Sequence, residues 1–176
     1  VTRALLLCSA LSAPFYIVLA SEQAFDFSLL ATFMALSGLA SLVSAPIWGR
    51  LSDLSSRRVL IFAAMLVTLN GLAVYLIAHF SPATLREFWL LPLCYFLLTV
   101  AHQGVRLGRK TYLVDMAEGN KRTDYVSVSN TVIGLILLAL GSVGLLNAYL
   151  STAELILFYS VLGIAGAISA WFLPDA

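Results

Sequence analysis

The chain has 176 residues, of which 61% are hydrophobic and 11% charged, with a net charge of +1 and a mean hydropathy of +0.96. A soluble domain carries roughly 25% charged and about 45–50% apolar residues, so this apolar excess is too large for a core of this size to hide. A soluble globular protein, a disordered tail and a small disulfide-rich domain are excluded, and the near-zero charge argues against a nucleic-acid partner. A membrane protein remains.

Six apolar stretches follow one another at about 3–20, 28–49, 59–79, 88–108, 126–149 and 154–173. Each is close to the ~20 residues that carry a helix across the hydrocarbon. Lipid offers no hydrogen-bond partners, so only helices or a closed barrel can span, and barrel strands would alternate over about 10 residues. The expected fold class is therefore an all-α membrane protein, a single six-helix transmembrane bundle over 1–176. Its connections are expected to be short and polar, with the second at 50–58 and the fourth at 109–125.

The first stretch carries the superficial marks of a signal peptide, with Arg3, an apolar run and small residues near Ala20 and Ala24. Its removal would leave an odd number of spans, and Pro14 sits in mid-run, so it is read as a retained span. The chain opens on Val1 rather than Met, which suggests a part of a longer protein. Ser9, Ser12 and Tyr16 share a face of this first span. Pairs of small residues four apart, Ala31/Ala35, Ser37/Ser41, Gly104/Gly108 and Gly163/Ala167, are expected at close helix contacts. Asn70 on the third span is read as a helix-packing residue, and Ser127, Asn130 and Gly134 share a face of the fifth.

The distribution of basic residues sets orientation. Arg3, Arg50, Arg57, Arg58, Arg106, Arg109, Lys110, Lys121 and Arg122 fall on one side, nine of the ten, and only Arg86 on the other. By the positive-inside rule the nine-residue side is cytoplasmic. Both termini are then cytoplasmic, as an even number of spans requires. A multi-pass protein of the cell membrane, a bacterial inner membrane, is the expectation.

The fourth span carries a polar stripe. Tyr95, Thr99, His102, Arg106 and Arg109 recur at offsets 0, 4, 7, 11 and 14, which is one helix face. A charged group facing lipid is costly, so the stripe should face protein or water. His102 titrates near neutrality and suits proton coupling; the structural alternative is a histidine bonded to a neighbour, with arginines snorkelling to the interface.

Chemistry of other kinds is absent from the sequence. Cys8 and Cys94 lie inside apolar runs, and no Cys/His spacing suits a metal or a disulfide framework. No HExxH, P-loop or paired-aspartate motif occurs, and Gly141-Ser142-Val143-Gly144 places its serine wrongly for a membrane serine protease. No cofactor and no enzymatic activity are expected.

The second connection reads Gly49-Arg50-Leu51-Ser52-Asp53-Leu54-Ser55-Ser56-Arg57-Arg58. It resembles the signature Gly-x-Leu-x-Asp-x-x-Gly-Arg-Arg/Lys of the major facilitator superfamily, with Gly49, Leu51, Asp53, Arg57 and Arg58 in register and Ser56 in place of the second glycine. The resemblance covers the whole chain and implies one six-helix half, the C-terminal one, of a twelve-helix permease. It implies secondary active transport of a small solute by alternating access, with the other half, the lipid bilayer, the solute and protons as partners. Spans 1, 2, 4 and 5 would line the cavity and spans 3 and 6 lie outside it. The implied pathway residues are Tyr16, Tyr95, Thr99, His102, Gln103, Arg106 and Asn130. The implied conformational latch is Gly49, Asp53, Arg57, Arg58, Arg109 and Asp115. A non-transporting sensor or assembly module on the same fold is the competing class, and a membrane-embedded hydrolase ranks third.

Overall fold

The computed structural model describes residues 2–23, 27–116 and 121–174, with the side chains at 27, 115–116 and 121–125 outside that description. Among these residues it is helical apart from short connections, with no strand. Span 1 is α1 (Thr2–Ser9), a 3-10 turn (Ala10–Ser12) and α2 (Ala13–Gln23); span 2 is α3 (Phe27–Leu54); span 3 is α4 (Ser56–Phe80). After a 3-10 turn at Pro82–Arg86, span 4 is α5 (Leu90–Met116), span 5 is α6 (Lys121–Gly141) continued by a 3-10 stretch (Ser142–Ala148), and span 6 is α7 (Thr152–Trp171). All six are long and apolar enough to cross a membrane.

Two expected connections are shorter than the sequence reading placed them. The one at 50–58 contracts to Ser55, because α3 runs to Leu54 and α4 begins at Ser56. Ser55 is extended, at φ −171° and ψ 116°, and its Oγ accepts the Arg58 N–H at 3.3 Å, which starts the next helix at once. Ser56 is helical, so the signature's second glycine position needs no left-handed backbone here. The connection at 109–125 likewise contracts, since α5 runs to Met116 and α6 starts at Lys121. Hydropathy marks only the part in hydrocarbon, whereas backbone hydrogen bonding carries each helix on into the polar headgroup layer.

Span 1 breaks where Pro14 requires it. A proline removes its own N–H and crowds the carbonyl four residues back, and that carbonyl belongs to Ala10, the first residue of the 3-10 turn. The hydroxyls of Ser9 and Ser12 donate to the carbonyls of Leu6 and Ser9, each at 2.8 Å.

Span 3 packs along span 6; span 4 packs against spans 2 and 3, and span 1 against spans 6 and 5. Exchanging 1 with 4, 2 with 5 and 3 with 6 maps these pairings onto themselves. The bundle is therefore two three-helix repeats related by a pseudo-two-fold axis. Association in lipid depends on close packing, and small residues supply it. A Cβ at Gly104 would come within 2.6 Å of Trp48, one at Gly163 within 2.7 Å of the Thr68 hydroxyl and one at Gly166 within 2.5 Å of Leu6. Ala31 and Ala35 are exposed and make no such contact among the described residues. Two apolar cores result, one around Tyr16, Phe33, Val74 and Leu98 and one around Leu6, Trp48, Leu60 and Val105. Spans 2 and 5 bury least of their surface.

Candidate functional site

The site grows from α5. Its Leu98, Ala101 and Val105 are fully buried and form the core face. The stripe lies beside them: Tyr95, Thr99, His102 and Arg109 are half-buried and Arg106 is exposed. Tyr95 meets Phe33 of α3 edge-on, ring centres 4.7 Å apart. Thr99 turns its hydroxyl onto the Tyr95 carbonyl at 2.9 Å. His102 interacts with the backbone of Ser9, at the break in span 1, and its Nε2 is buried with no hydrogen-bond partner among the described residues. Three helices thus converge on this face, with α3 on one side and the interrupted span 1 on the other.

The remaining pathway residues lie elsewhere. Tyr16 is fully buried, and its hydroxyl accepts from Asn70 Nδ2 at 3.1 Å, while the same nitrogen donates to the Cys94 carbonyl at 2.9 Å. Asn70 thereby joins spans 1, 3 and 4. Gln103 donates to the Ser41 hydroxyl at 2.8 Å and ties α5 to α3. Asn130 is exposed on α6. Cys8 and Cys94 are buried free thiols.

At the basic end, Asp53 is exposed in the last turn of α3 and Arg58 is exposed in the first turn of α4. Arg57 lies 5.7 Å from the Trp171 ring centre, a cation–π distance. A Cβ at Gly49 would meet nothing within 4 Å, so no close packing contact is made there among the described residues. The Asp115 side chain is outside the described residues. Two contacts at this end escaped sequence reasoning. Ser52 donates to Thr111 at 3.0 Å, binding α3 to α5, and Arg3 Nη1 donates to Ser129 Oγ at 2.9 Å, binding span 1 to α6. Neither has a local signal, since the partners stand 59 and 126 positions apart. The opposite end is held by Thr152 donating to Glu22.

Six apolar helices in one bundle, with a polar face on the fourth, define a multi-pass helical membrane protein. The family model of the Major Facilitator Superfamily matches residues 4–176, and the chain belongs to that superfamily. No curated protein and no solved structure matches the chain. The superfamily consists of transporters of small solutes rather than enzymes.

Proposed function

We propose that the chain is the C-terminal half of a secondary transporter that moves a small solute by alternating access, with the solute path along the stripe of α5. The observation that carries this reading is the placement of His102 opposite the break in span 1. Interrupted helices free backbone polar groups near the membrane interior, where solutes and coupling ions bind. A helix face that holds a histidine and two arginines is stable only against protein or water. The partner half would close over this face and over the exposed surfaces of spans 2 and 5, and rocking of the halves would open it to each side in turn.

In this reading Arg106 binds an anionic or polar group of the solute, and His102 exchanges the coupled proton through its unpartnered Nε2. Tyr95 and Thr99 complete the wall, Gln103 fixes α5 to α3 beside it, and Tyr16, fully buried and bonded to Asn70, stands outside it. Asp53, Arg57, Arg58, Arg109 and Asp115, with Gly49, form a latch at the cytoplasmic end of the cell-membrane protein. The test is uptake into proteoliposomes with and without a pH gradient. His102→Gln should flatten the pH dependence of uptake more than it lowers the maximal rate. An unchanged pH profile removes His102 from the proton path, and absence of uptake for every solute class removes the transport reading.

A further inference from the structure

A cavity of about 550 Å³ opens at the basic end between α1, α4, α5 and α6. Most of its wall is apolar, including Leu60 and Ile133, and its polar lining includes Arg3, Arg109 and Ser129. No Asp or Glu is among the described residues that line it. Arg3 spends one N–H on Ser129. The Nε atoms of both Arg3 and Arg109 are buried without a hydrogen-bond partner among the described residues. Arg106, one turn before Arg109 on the same face, adds to the positive field.

Two half-buried guanidiniums in one pocket repel each other, and each has given up water without gaining a carboxylate among the described residues. Such an arrangement is costly by itself. It becomes favourable once an anion bridges the two forks, because guanidinium bonds to carboxylate or phosphate are charge-assisted and directional. The volume lies in the ~300–1,000 Å³ range of sites for small organic ligands. A bare inorganic ion would leave most of the apolar wall uncovered.

We propose that this pocket binds an amphipathic anion, its carboxylate or phosphate head held by Arg3, Arg109 and Ser129 and its apolar body against Leu60 and Ile133. A free solute and an anionic lipid of the adjoining leaflet share this chemistry. The site is separate from His102, and binding to it is read without any transport.

The test uses the complete protein in uncharged detergent, with octyl phosphate as probe and inorganic phosphate for comparison, followed by thermal shift and equilibrium binding. Octyl phosphate should raise Tm and bind at least tenfold more tightly than inorganic phosphate. Arg3→Gln and Arg109→Gln should each weaken it by roughly tenfold or more, the loss of a charge-assisted bond, while Arg50→Gln, outside the pocket, leaves it unchanged. Without probe, Arg109→Gln should melt no lower than the parent, because it removes a desolvated charge. Arg109→Lys keeps the charge and loses the fork, and serves where a Gln variant does not fold; its affinity should fall with Tm unaltered. Equal octyl phosphate affinity in the parent and in the Arg109 variants, or no binding to the parent, overturns the proposal. Nanodiscs separate the two sources. Tenfold weaker probe binding in phosphatidylglycerol than in phosphatidylcholine identifies the lipid as occupant, and equal binding in both identifies a free solute.

Discussion

Asn70 shows how a single polar residue organises three helices. Its amide is 6% exposed and reaches both the Tyr16 hydroxyl and the Cys94 carbonyl. Interhelical hydrogen bonds in membranes average about 0.6 kcal/mol and reach ~1.7, so two of them on one amide are expected to contribute about 1–2 kcal/mol. Asn70→Leu keeps the branched side-chain skeleton and removes both bonds. Its reversible unfolding in mixed micelles should show that loss, and a stability equal to the parent would show the knot to be energetically idle. The sequence marks Asn70 as a packing residue, because an amide on an otherwise apolar span must be satisfied inside the bundle. It does not mark Tyr16 as the partner. Tyr16 shares a helix face with Ser9 and Ser12 and looks there like part of a pathway, whereas its bond is fixed by the packing of a residue 54 positions away. Arg3 was opaque for the same reason: alone it signals topology, and only the approach of α6 and α5 turns it into a pocket residue.

At the scale of the elements, span existence was legible and span ends were not. Apolar runs of crossing length specify six helices because lipid leaves the backbone no other solution. Their ends depend on local hydrogen bonding that hydropathy does not report. Span 6 is the clearest case. Its apolar run begins at Glu154, yet α7 starts at Thr152. The Ser151 Oγ accepts the Glu154 N–H at 3.3 Å and the Glu154 carboxylate accepts the Ser151 N–H at 2.7 Å. This reciprocal box is written in the sequence as Ser-x-x-Glu before an apolar run, and a search for caps rather than for hydropathy finds it. Ser151→Ala should cost about 0.5–2 kcal/mol of local helix stability. Hydrogen exchange of the amides at 152–155 should accelerate while those past 160 stay protected; unchanged exchange in the first turn would mean that Thr152 with Glu22 holds this end by itself. Pro14 is the converse case. Its mid-run position is written in the sequence, but not that the break there falls against His102, since that juxtaposition belongs to the packing of α5 on span 1.

For the whole molecule, the pairing of the spans leaves spans 2 and 5 the least buried of the six. It also gathers the charge. The contacts Arg3–Ser129, Ser52–Thr111 and Arg57–Trp171 all lie at one end of the bundle, and Glu22–Thr152 at the other. A bundle with nine of its ten basic residues at one end is expected to insert with that end in the cytoplasm, because translocating short loops rich in Lys and Arg is disfavoured. Arg58 and Lys110 are exposed at this end, and Ser81 and Glu87 are exposed at the other. Cys8 and Cys94 are buried, so the parent protein should label weakly with an impermeant thiol reagent, and a background with both cysteines replaced by alanine should label not at all. In that background, Ser81→Cys and Glu87→Cys should react with reagent added outside intact cells. Arg58→Cys and Lys110→Cys should react only after the membrane is opened. Labelling of the latter pair from outside would invert the bundle, and with it turn the Arg3–Arg109 pocket and the latch to the external face. Reaction of all four from outside would mean that the six helices do not all cross.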